Sequence, residues 1–338
     1  MNRRWICSDV WMDIFPLFDR PKLGLNLALI SDRFDVLVDA HFDGRELTIW
    51  RTITISKYTA RPKAKLVVYI DGKFVEFPLP DHPLPIKIRF KNLRIDYIDH
   101  SVIEFLRSNK HIWDRMGTKL NLSIANVQPI WDVLASEIWR VFATNIRHLG
   151  IYNADGLDNL RRLISPTILT DLNHLNSIDS GLLLPDGIAD QGPNATAGQV
   201  LTKWLHMPSK DGQPKRLYCH DYIGRLNLEL VNNLKEAFLR ATSSASYIIL
   251  IYHVRTMPTE PFELVNERTK EKLTLASVSC YHEVDLLLKR CPITATVQWE
   301  NDDKVNNVTF NLFRGNNTIG PLSPSTEEKA DQSNQNVV

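Results

Sequence analysis

Cysteine and histidine are the residues of this sequence best suited to bind a metal ion. Cys280, His282 and Cys291 lie within a short stretch of the sequence and suggest a zinc site, to which Cys219-His220 could add two further ligands. Structural zinc sites usually carry Cys-x-x-Cys pairs, however, and this sequence has none. We therefore interpret the cysteines as reduced thiols buried in strands, and we expect neither a metal ion nor another cofactor.

Catalytic chemistry is not indicated by the remaining motifs. The chain has ten histidines but no Gly-x-Ser-x-Gly elbow, no His-Glu-x-x-His pair and no glycine-rich phosphate loop. Its eight tryptophans lie mostly in helical patterns, which is more typical of core packing than of base stacking. We expect a binding protein without catalytic residues of its own.

The composition limits the number of folded units and the class of partner. With 338 residues, 43% of them hydrophobic, the chain is long enough for two units at roughly 150 residues each. Its 40 basic and 39 acidic side chains leave a net charge of +1. Because no field of one sign results, we expect neither a nucleic acid nor a membrane surface as the main partner.

The sequence also predicts a compartment. The longest apolar run, Tyr247–Val254, is far shorter than the roughly 18 to 20 apolar residues of a membrane span. Asp9 and Asp13 interrupt the first apolar stretch, which is therefore not typical of a secretory signal. We expect a cytoplasmic protein, with the nucleus as the alternative.

Residues 5–45 carry the spacing of three short helices. Two apolar rows spaced i, i+4, i+7 predict a first helix over residues 9–18, with its last turn disturbed by Pro16. Asp19 and Pro21 predict the start of a second helix, and Ser31 predicts the cap of a third. The apolar surface exceeds what about 40 residues can bury among themselves, so part of it must face another surface. The two rows are Val10, Ile14 and Leu17, and Trp11, Phe15 and Phe18.

The residues of this segment also match a known pattern. They are Ile6-Cys-Ser-Asp-Val-Trp-Met-Asp-Ile-Phe15, Leu17-Phe18, Leu23, Leu27, and Ile30-Ser-Asp-Arg-Phe34 with Leu37. Together they resemble an F-box, the three-helix unit that docks a substrate receptor onto the Skp-type adaptor of an SCF (cullin-RING) ubiquitin ligase. Ile6-Cys7 stand where that family usually has Leu-Pro, Asp9 stands at its acidic position, and Arg33-Phe34 stand at its basic-aromatic pair.

The resemblance implies contact with the adaptor, and through the adaptor with cullin and RING subunits. Such an interface depends on a few central apolar and aromatic anchors. The residues we nominate for this contact are Val10, Trp11, Ile14, Leu17, Phe18, Leu23, Ile30 and Phe34. The alternative interpretation is an ordinary helical cap on a larger domain.

Beyond residue 45 the pattern changes to alternating and then to repeated strands and helices. Alternation from Leu47 to Phe77, with Asp71-Gly72 as a hairpin turn, predicts a small antiparallel sheet. A capping box, Ser101-x-x-Glu104, then predicts a helix start, and Pro129 and Ser165-Pro166 predict two more. The apolar strand cores alternate with these helices and lie near Ile95, Leu120, Ile146, Leu175, Leu217 and Ile248.

The fold class is therefore α+β to α/β. Ile146-x-x-Leu149-x-Ile151 fits the core of a leucine-rich repeat, and we favour a degenerate leucine-rich-repeat solenoid for the strand–helix units. A compact doubly wound sheet uses the same order of elements and stays open as the alternative.

The body of the chain resembles the C-terminal part of an F-box family that is greatly expanded in nematodes. The matching runs include Asp99-His-Ser-Val-Ile-Glu-Phe-Leu106, Ser165-Pro-Thr-Ile-Leu169, Lys203-Trp-Leu-His206, Pro261-Phe-Glu-Leu-Val-Asn266 and Arg290-Cys-Pro-Ile293. The resemblance implies an F-box-like module over residues 5–45 and a substrate-recognition domain over residues 46–313. Residues 314–338 carry too little apolar surface to fold, so we expect a disordered tail.

Parity along the strands predicts which side chains face a partner. Residues that alternate with buried strand positions project from the opposite face of the sheet. The nominated substrate-binding residues are Arg94, Asp96, His148, Tyr152, Tyr218 and His220. A solvated sheet face is the alternative, and the loop from Leu184 to Ala197 is a second place for recognition.

These observations together predict a substrate-receptor subunit of an SCF-type ligase that docks an unidentified target protein. The alternative function is a scaffold or inhibitor that uses the repeat surface and has no role in ubiquitin transfer.

Overall fold

The computed structural model describes the chain in segments. Together they form a mixed α and β protein that divides into two compact units. The first unit comprises Met1–Thr118, Glu137–Phe142 and Lys304–Val338, and the second comprises Lys119–Ser136 and Ala143–Asp303. The described segments are 6–18, 22–41, 47–57, 63–70, 73–84, 88–153, 155–210, 212–221, 226–254, 259–280, 283–294, 305–313 and 318–323.

The first unit begins with three helical segments at the predicted places. Helix α1 (Ser8–Ile14) passes into a 3-10 turn, Phe15–Leu17, because Pro16 lacks the N–H that would continue the α-helical bonds. The second segment is a π-helical turn, Leu23–Leu27, followed by a 3-10 turn, Ala28–Ile30, and α2 covers Asp32–His41. The predicted start of the second helix at residues 19–21 lies outside the described residues.

Five strands of the first unit follow the order β13-β4-β1-β2-β3. The antiparallel pairs β1–β2 and β2–β3 confirm the predicted hairpin arrangement, whereas β4 and β13 add to β1 in parallel. The placement of β13 beside β4 was not predicted. The strands are β1 (Leu47–Lys57), β2 (Ala64–Ile70), β3 (Lys73–Pro78), β4 (Ile88–Ile95) and β13 (Asn306–Leu312).

A buried asparagine attaches β13 to its neighbours in this unit. The Asn306 side chain accepts a hydrogen bond from the Phe90 backbone N–H at 3.0 Å and donates one to the Ile112 carbonyl at 3.0 Å. Its own backbone N–H donates to the Gly117 carbonyl at 3.1 Å. Both the oxygen and the nitrogen of this fully buried amide are therefore hydrogen-bonded, which offsets the free-energy cost of removing them from water.

Two helices follow β4, namely α3 (His100–Ser108) and α4 (Lys110–Met116). The predicted capping box at Ser101 is wrong. The cap is Asp99, whose carboxylate accepts the Val102 N–H at 3.1 Å and the Ser101 hydroxyl at 2.6 Å. A carboxylate accepts hydrogen bonds from the free N–H groups of the first turn more strongly than a hydroxyl does. The helix is therefore capped by Asp99, two residues before Ser101.

The second unit contains five strands that lie side by side in chain order, β5-β6-β7-β8-β9. The pairs β6–β7, β7–β8 and β8–β9 are parallel. A doubly wound sheet reverses its strand order, whereas stacked strand–helix units add strands in one direction. The strands are β5 (Thr118–Ile124), β6 (Ile146–Ile151), β7 (Ser177–Asp179), β8 (Lys215–His220) and β9 (Tyr247–Val254).

Helices connect these strands. The helix that Pro129 opens is confirmed, and the side chains predicted for its inner face, Ile130, Leu134, Ile138 and Val141, are all buried. The helix predicted at Ser165-Pro166 begins slightly later, at Ile168. The helical segments of the second unit are α5 (Gln128–Val133), α7 (Gly156–Leu163), α8 (Ile168–Asp171), α9 (Ala197–His206) and α10 (Leu228–Arg240). Along the chain, a π-helical turn (Leu134–Ile138) and α6 (Trp139–Phe142) follow α5, and their residues 137–142 belong to the first unit.

An antiparallel extension, which was not predicted, completes the second unit. It continues the sheet from β9 in the order β9-β12-β11-β10. Its strands are β10 (Phe262–Asn266), β11 (Glu271–Cys280) and β12 (Glu283–Pro292). A buried ion pair lies in this extension, where the Arg290 guanidinium donates to the Glu271 carboxylate at 2.7 and 3.1 Å.

Candidate protein-binding surfaces

Alternation along β8 gives the second unit one buried and one partly open sheet face. On β8, Leu217 and Cys219 are buried, while Tyr218 and His220, which alternate with them, are partly exposed. On β8 the parity predicted from the sequence is therefore the parity observed. On β6, Leu149 and Ile151 are buried and His148 is partly exposed, but Ile146 and Gly150 are buried as well. We call the partly open surface the aromatic face, and it comprises His148, Tyr152, Ser177, Asp179, Tyr218, His220, Tyr252 and His253.

The strand register brings these side chains together. His148 pairs with Ser177 across β6 and β7, and the histidine Nδ1 lies 2.9 Å from the serine Oγ. Asp179 pairs with Tyr218, and its carboxylate lies 3.7 Å from His220 Nε2. Four of the six nominated substrate-binding residues thus lie on one sheet face, on or directly after β6 and on β8, with β7 between the two strands.

The rings of the aromatic face form a continuous row. The centroids of Tyr218 and Tyr252 are 6.5 Å apart with their planes 10° from parallel, and those of His220 and Tyr252 are 5.2 Å apart. His148 extends the row on the other side of Tyr218, at 6.2 Å. Stacked rings present a large contact area with little side-chain entropy to lose on binding.

A backbone irregularity places one more ring in this row. His253 has a φ of 59°, in the left-handed region, and the register between β9 and β12 shifts at this point. Successive residues of a regular strand face opposite ways, but here the rings of both Tyr252 and His253 lie against His220. The His253 N–H donates to the Asp285 carboxylate at 3.1 Å, which stabilises the bend.

A glycine makes room for the tyrosine at the end of β6. A Cβ on Gly150 would lie 2.5 Å from the Asn121 Oδ1 and 3.2 Å from the Tyr152 ring. Without it, the Tyr152 hydroxyl folds back and donates to the Asn121 Oδ1 at 3.2 Å. No pattern in the sequence indicates this role of Gly150, because a lone glycine in a strand pattern has several explanations.

Burial shifts the pKa of three groups on the aromatic face, namely His148, Tyr152 and Tyr218. Burial, and to a smaller degree the charge of Lys119, lowers the pKa of His148 to about 3. Burial also raises the pKa of Tyr218, and burial together with Asp179 raises the pKa of Tyr152. These groups are therefore uncharged at neutral pH and act as hydrogen-bond donors and acceptors.

The His148–Ser177 contact joins a histidine and a serine, the residue types of a catalytic base and nucleophile. Two features of this pair are unfavourable for catalysis. A base whose pKa is about 3 has little tendency to take a proton from serine at neutral pH. The other ring nitrogen, Nε2, is buried with no hydrogen-bond partner among the described residues, so no carboxylate orients the ring.

The two remaining nominated residues, Arg94 and Asp96, lie on β4 and just after it, in the first unit. The Arg94 Nε donates to the Asp96 carboxylate at 2.7 Å, and the Asn311 amide donates to the same oxygen at 3.0 Å. Their polar groups are therefore already engaged with each other. Asp179, Tyr252 and His253 also belong to the aromatic face but were not nominated from the sequence. Parity around Ile178 and Ile251 would have indicated the first two.

The helical segments of the first unit carry the residues nominated for the adaptor. Leu17 is 82% exposed and Ile30 is 62% exposed, and Val10 and Phe18 are also exposed. The Trp11, Ile14 and Phe34 side chains are partly exposed, and the rings of Trp11 and Phe34 pack at 4.8 Å. Leu23 is buried, so it holds the helical segments together and is corrected from a contact residue to a core residue. Val36, which was not nominated, is 67% exposed.

The residues suggested for zinc do not form a site within the described part of the chain. Cys219 is buried at the sheet, and burial raises the pKa of its thiol to about 12. Cys291 is a free buried thiol as well. His282 lies outside the described residues, as does the Cys280 side chain. Among the side chains that are described, no group of three His, Cys, Asp or Glu could hold a metal ion.

The described helices are also too short or too polar to cross a membrane. Comparisons with family models, with curated proteins and with solved structures find no match to this chain.

Proposed function

We propose that this protein is a substrate-receptor subunit of an SCF-type (cullin-RING) ubiquitin ligase. In this proposal residues 5–45 form an F-box-like three-helix module that binds a Skp-type adaptor. The strand–helix units of the second unit act as a degenerate leucine-rich-repeat solenoid and hold a target protein, in the cytoplasm or the nucleus. The observation that carries the proposal is the exposure of apolar side chains on three consecutive helical segments, at Leu17, Ile30 and Val36.

The helical module has an apolar core of its own and still leaves apolar side chains in water, which supports an external partner. Phe15, Leu23 and Val38 are buried, whereas Leu17, Ile30 and Val36 are exposed. Burial of one leucine or isoleucine side chain contributes roughly 1.5 to 3 kcal/mol. Several large apolar side chains left in water on one small module are typical of a protein-interaction site.

The aromatic face supports the second half of the proposal. Tyrosine is enriched at protein interfaces, and this face offers three tyrosines beside three histidines, with hydrogen-bonding groups at their edges. The chain-order arrangement of β5 to β9 agrees with stacked repeats, whose strands line one extended surface.

Adaptor binding is tested with a pull-down of purified Skp-type adaptor by the full chain. The variant Leu17→Asp with Ile30→Asp changes two exposed side chains and should leave the fold intact, yet it should weaken adaptor binding about tenfold or more. Ile188→Asp is the matched control, because Ile188 is 59% exposed and lies in the second unit. Equal adaptor recovery by both variants and the wild type would contradict the proposal.

The alternative is a scaffold or inhibitor that binds its partner through the aromatic face without a ligase. One observation favours it. The Arg33 guanidinium, at the basic position of the F-box-like pattern, donates to the Ile6 carbonyl at 2.6 Å within the module itself. The two functions differ in assembly, because a receptor co-purifies from cells with cullin and RING subunits and a scaffold does not.

A further inference from the structure

A small pocket lies in the second unit at the amino-terminal ends of β6, β7 and β8. Its volume is about 180 Å³. Arg147 and Lys215 contribute from the beginnings of two strands, and Trp204 contributes from the last turn of α9. The loop residues 172–176 and 207–210 complete the wall. None of these residues belongs to the aromatic face.

The pocket lining is cationic. Arg147, Lys210 and Lys215 reach it from three different segments of the chain, and His174 lies beside them. Among the described residues that line it, none is an aspartate or a glutamate. Neutral hydrogen-bonding groups fill the remaining polar positions, at Thr170, Asn173, Asn176 and Ser209.

Lys215 is the unusual member of this group because its side chain is buried. Its ammonium donates one hydrogen bond to the Trp204 carbonyl and lies 4.7 Å from the centre of the Trp204 ring. An ammonium has three N–H groups, so it retains donors for a ligand. A buried cation is costly unless an anion or several hydrogen bonds compensate it. Desolvation lowers the pKa of Lys215 to about 8, because burial destabilises the charged ammonium. A bound anion would stabilise that charge.

Size and charge together define the ligand. Pockets that enclose drug-sized ligands usually measure about 300 to 1,000 Å³, so this pocket fits one small group. Three converging cations match a doubly charged group better than a single carboxylate. Tetrahedral oxygens can also meet donors from several directions, here Lys215, Arg147 and the amides of Asn173 and Asn176.

We propose that the pocket formed by Arg147, Lys210, Lys215 and Trp204 binds a phosphate group. The group is either inorganic phosphate or the phosphate of a phosphorylated side chain. This inference does not depend on the proposed ligase function, since it concerns a different surface of the same unit.

Calorimetric titration of the full-length protein tests the inference at constant ionic strength. The probes are inorganic phosphate, a short phosphoserine peptide and the same peptide without phosphate. We expect binding of the phosphoserine peptide, of inorganic phosphate or of both, and none of the unphosphorylated peptide. Binding of inorganic phosphate alone assigns a free ion, and stronger binding of the peptide assigns a phosphorylated protein. Failure of both phosphate-bearing probes would overturn the proposal.

Variants show whether the pocket is responsible. Lys210 is exposed and donates to Asn173, so Lys210→Glu should fold normally while it weakens phosphate binding about tenfold or more. Arg147→Ala should have an effect of similar size. Lys203→Ala is the matched control, because Lys203 precedes Trp204 but does not line the pocket. If Lys203→Ala weakens binding as much as the pocket variants, the attraction comes from the general charge of the surface and the proposal is wrong.

Discussion

The imidazole rings of His220 and His253 lie 5.7 Å apart and 20° from parallel, on neighbouring strands β8 and β9. The contact requires the left-handed backbone at His253, where φ is 59°. Non-glycine residues adopt this conformation at a cost, and such positions cluster at functional sites. The strained residue thus completes the row of rings on the aromatic face.

Replacement of His253 should separate backbone strain from ring contact. His253→Val places a β-branched side chain at positive φ and should lower the free energy of unfolding by about 1 to 3 kcal/mol. His253→Gly removes the strain and should be much less destabilising, although the ring contact is lost. Urea unfolding measures both variants, with Thr274→Val in the regular strand β11 as control. Equal destabilisation by valine and glycine would show that the ring contact, not the backbone, dominates.

Removal of two rings from the aromatic face should reduce target binding without loss of stability. Tyr218 and Tyr252 are only partly buried, and Tyr218→Ala with Tyr252→Ala should leave the adaptor pull-down unchanged. Comparative proteomics of proteins that co-purify with the wild type and the variant should show a loss of some partners. Tyr69→Ala, which changes an exposed tyrosine in the first unit, is the control. An unchanged set of partners would direct attention to the loop from Leu184 to Ala197.

The buried ion pair of Arg290 and Glu271 should be sensitive to the loss of one partner. Arg290→Met leaves the Glu271 carboxylate buried without its cation and should cost about 3 to 5 kcal/mol. Arg290→Met with Glu271→Gln should be less destabilised, because glutamine has no charge and can still accept the Ala245 N–H. Thermal unfolding of both variants checks this order, and a double variant less stable than the single one would contradict it.

Phosphate affinity should depend on pH through Lys215. The protonated ammonium is the binding form, and its pKa in the free protein is lowered to about 8 by burial. Affinity should therefore fall as the pH rises through 8, by up to about tenfold per unit. Arg147, Lys210 and His174 line the same pocket and carry groups that can also bear charge. The variant Lys215→Arg separates the contribution of Lys215 from theirs, because arginine stays charged over this pH range. Titrations from pH 7 to 9.5 should show a flatter profile for this variant. An unaltered slope would assign the pH dependence to another group.

Local patterns in the sequence determined much of this protein. Apolar spacing predicted the three helical segments before residue 42 and the buried face of the helix that Pro129 opens. Alternation predicted that Leu217 and Cys219 are buried while Tyr218 and His220 are not. These predictions succeed because they depend on the fixed repeat of a helix or a strand, which neighbouring residues alone define.

Only the tertiary structure decided how distant segments meet. It placed β13 beside β4 through Asn306, it put Asp179 next to His220, and it gathered Arg147, Lys210 and Lys215 around one pocket. In the folded chain the helix is also capped by Asp99 and not by Ser101. Strand order and side-chain neighbours depend on which surfaces can be buried together across hundreds of residues. The periodicity of a single segment carries no information about that choice, because it fixes which side of a strand is buried but not against which partner.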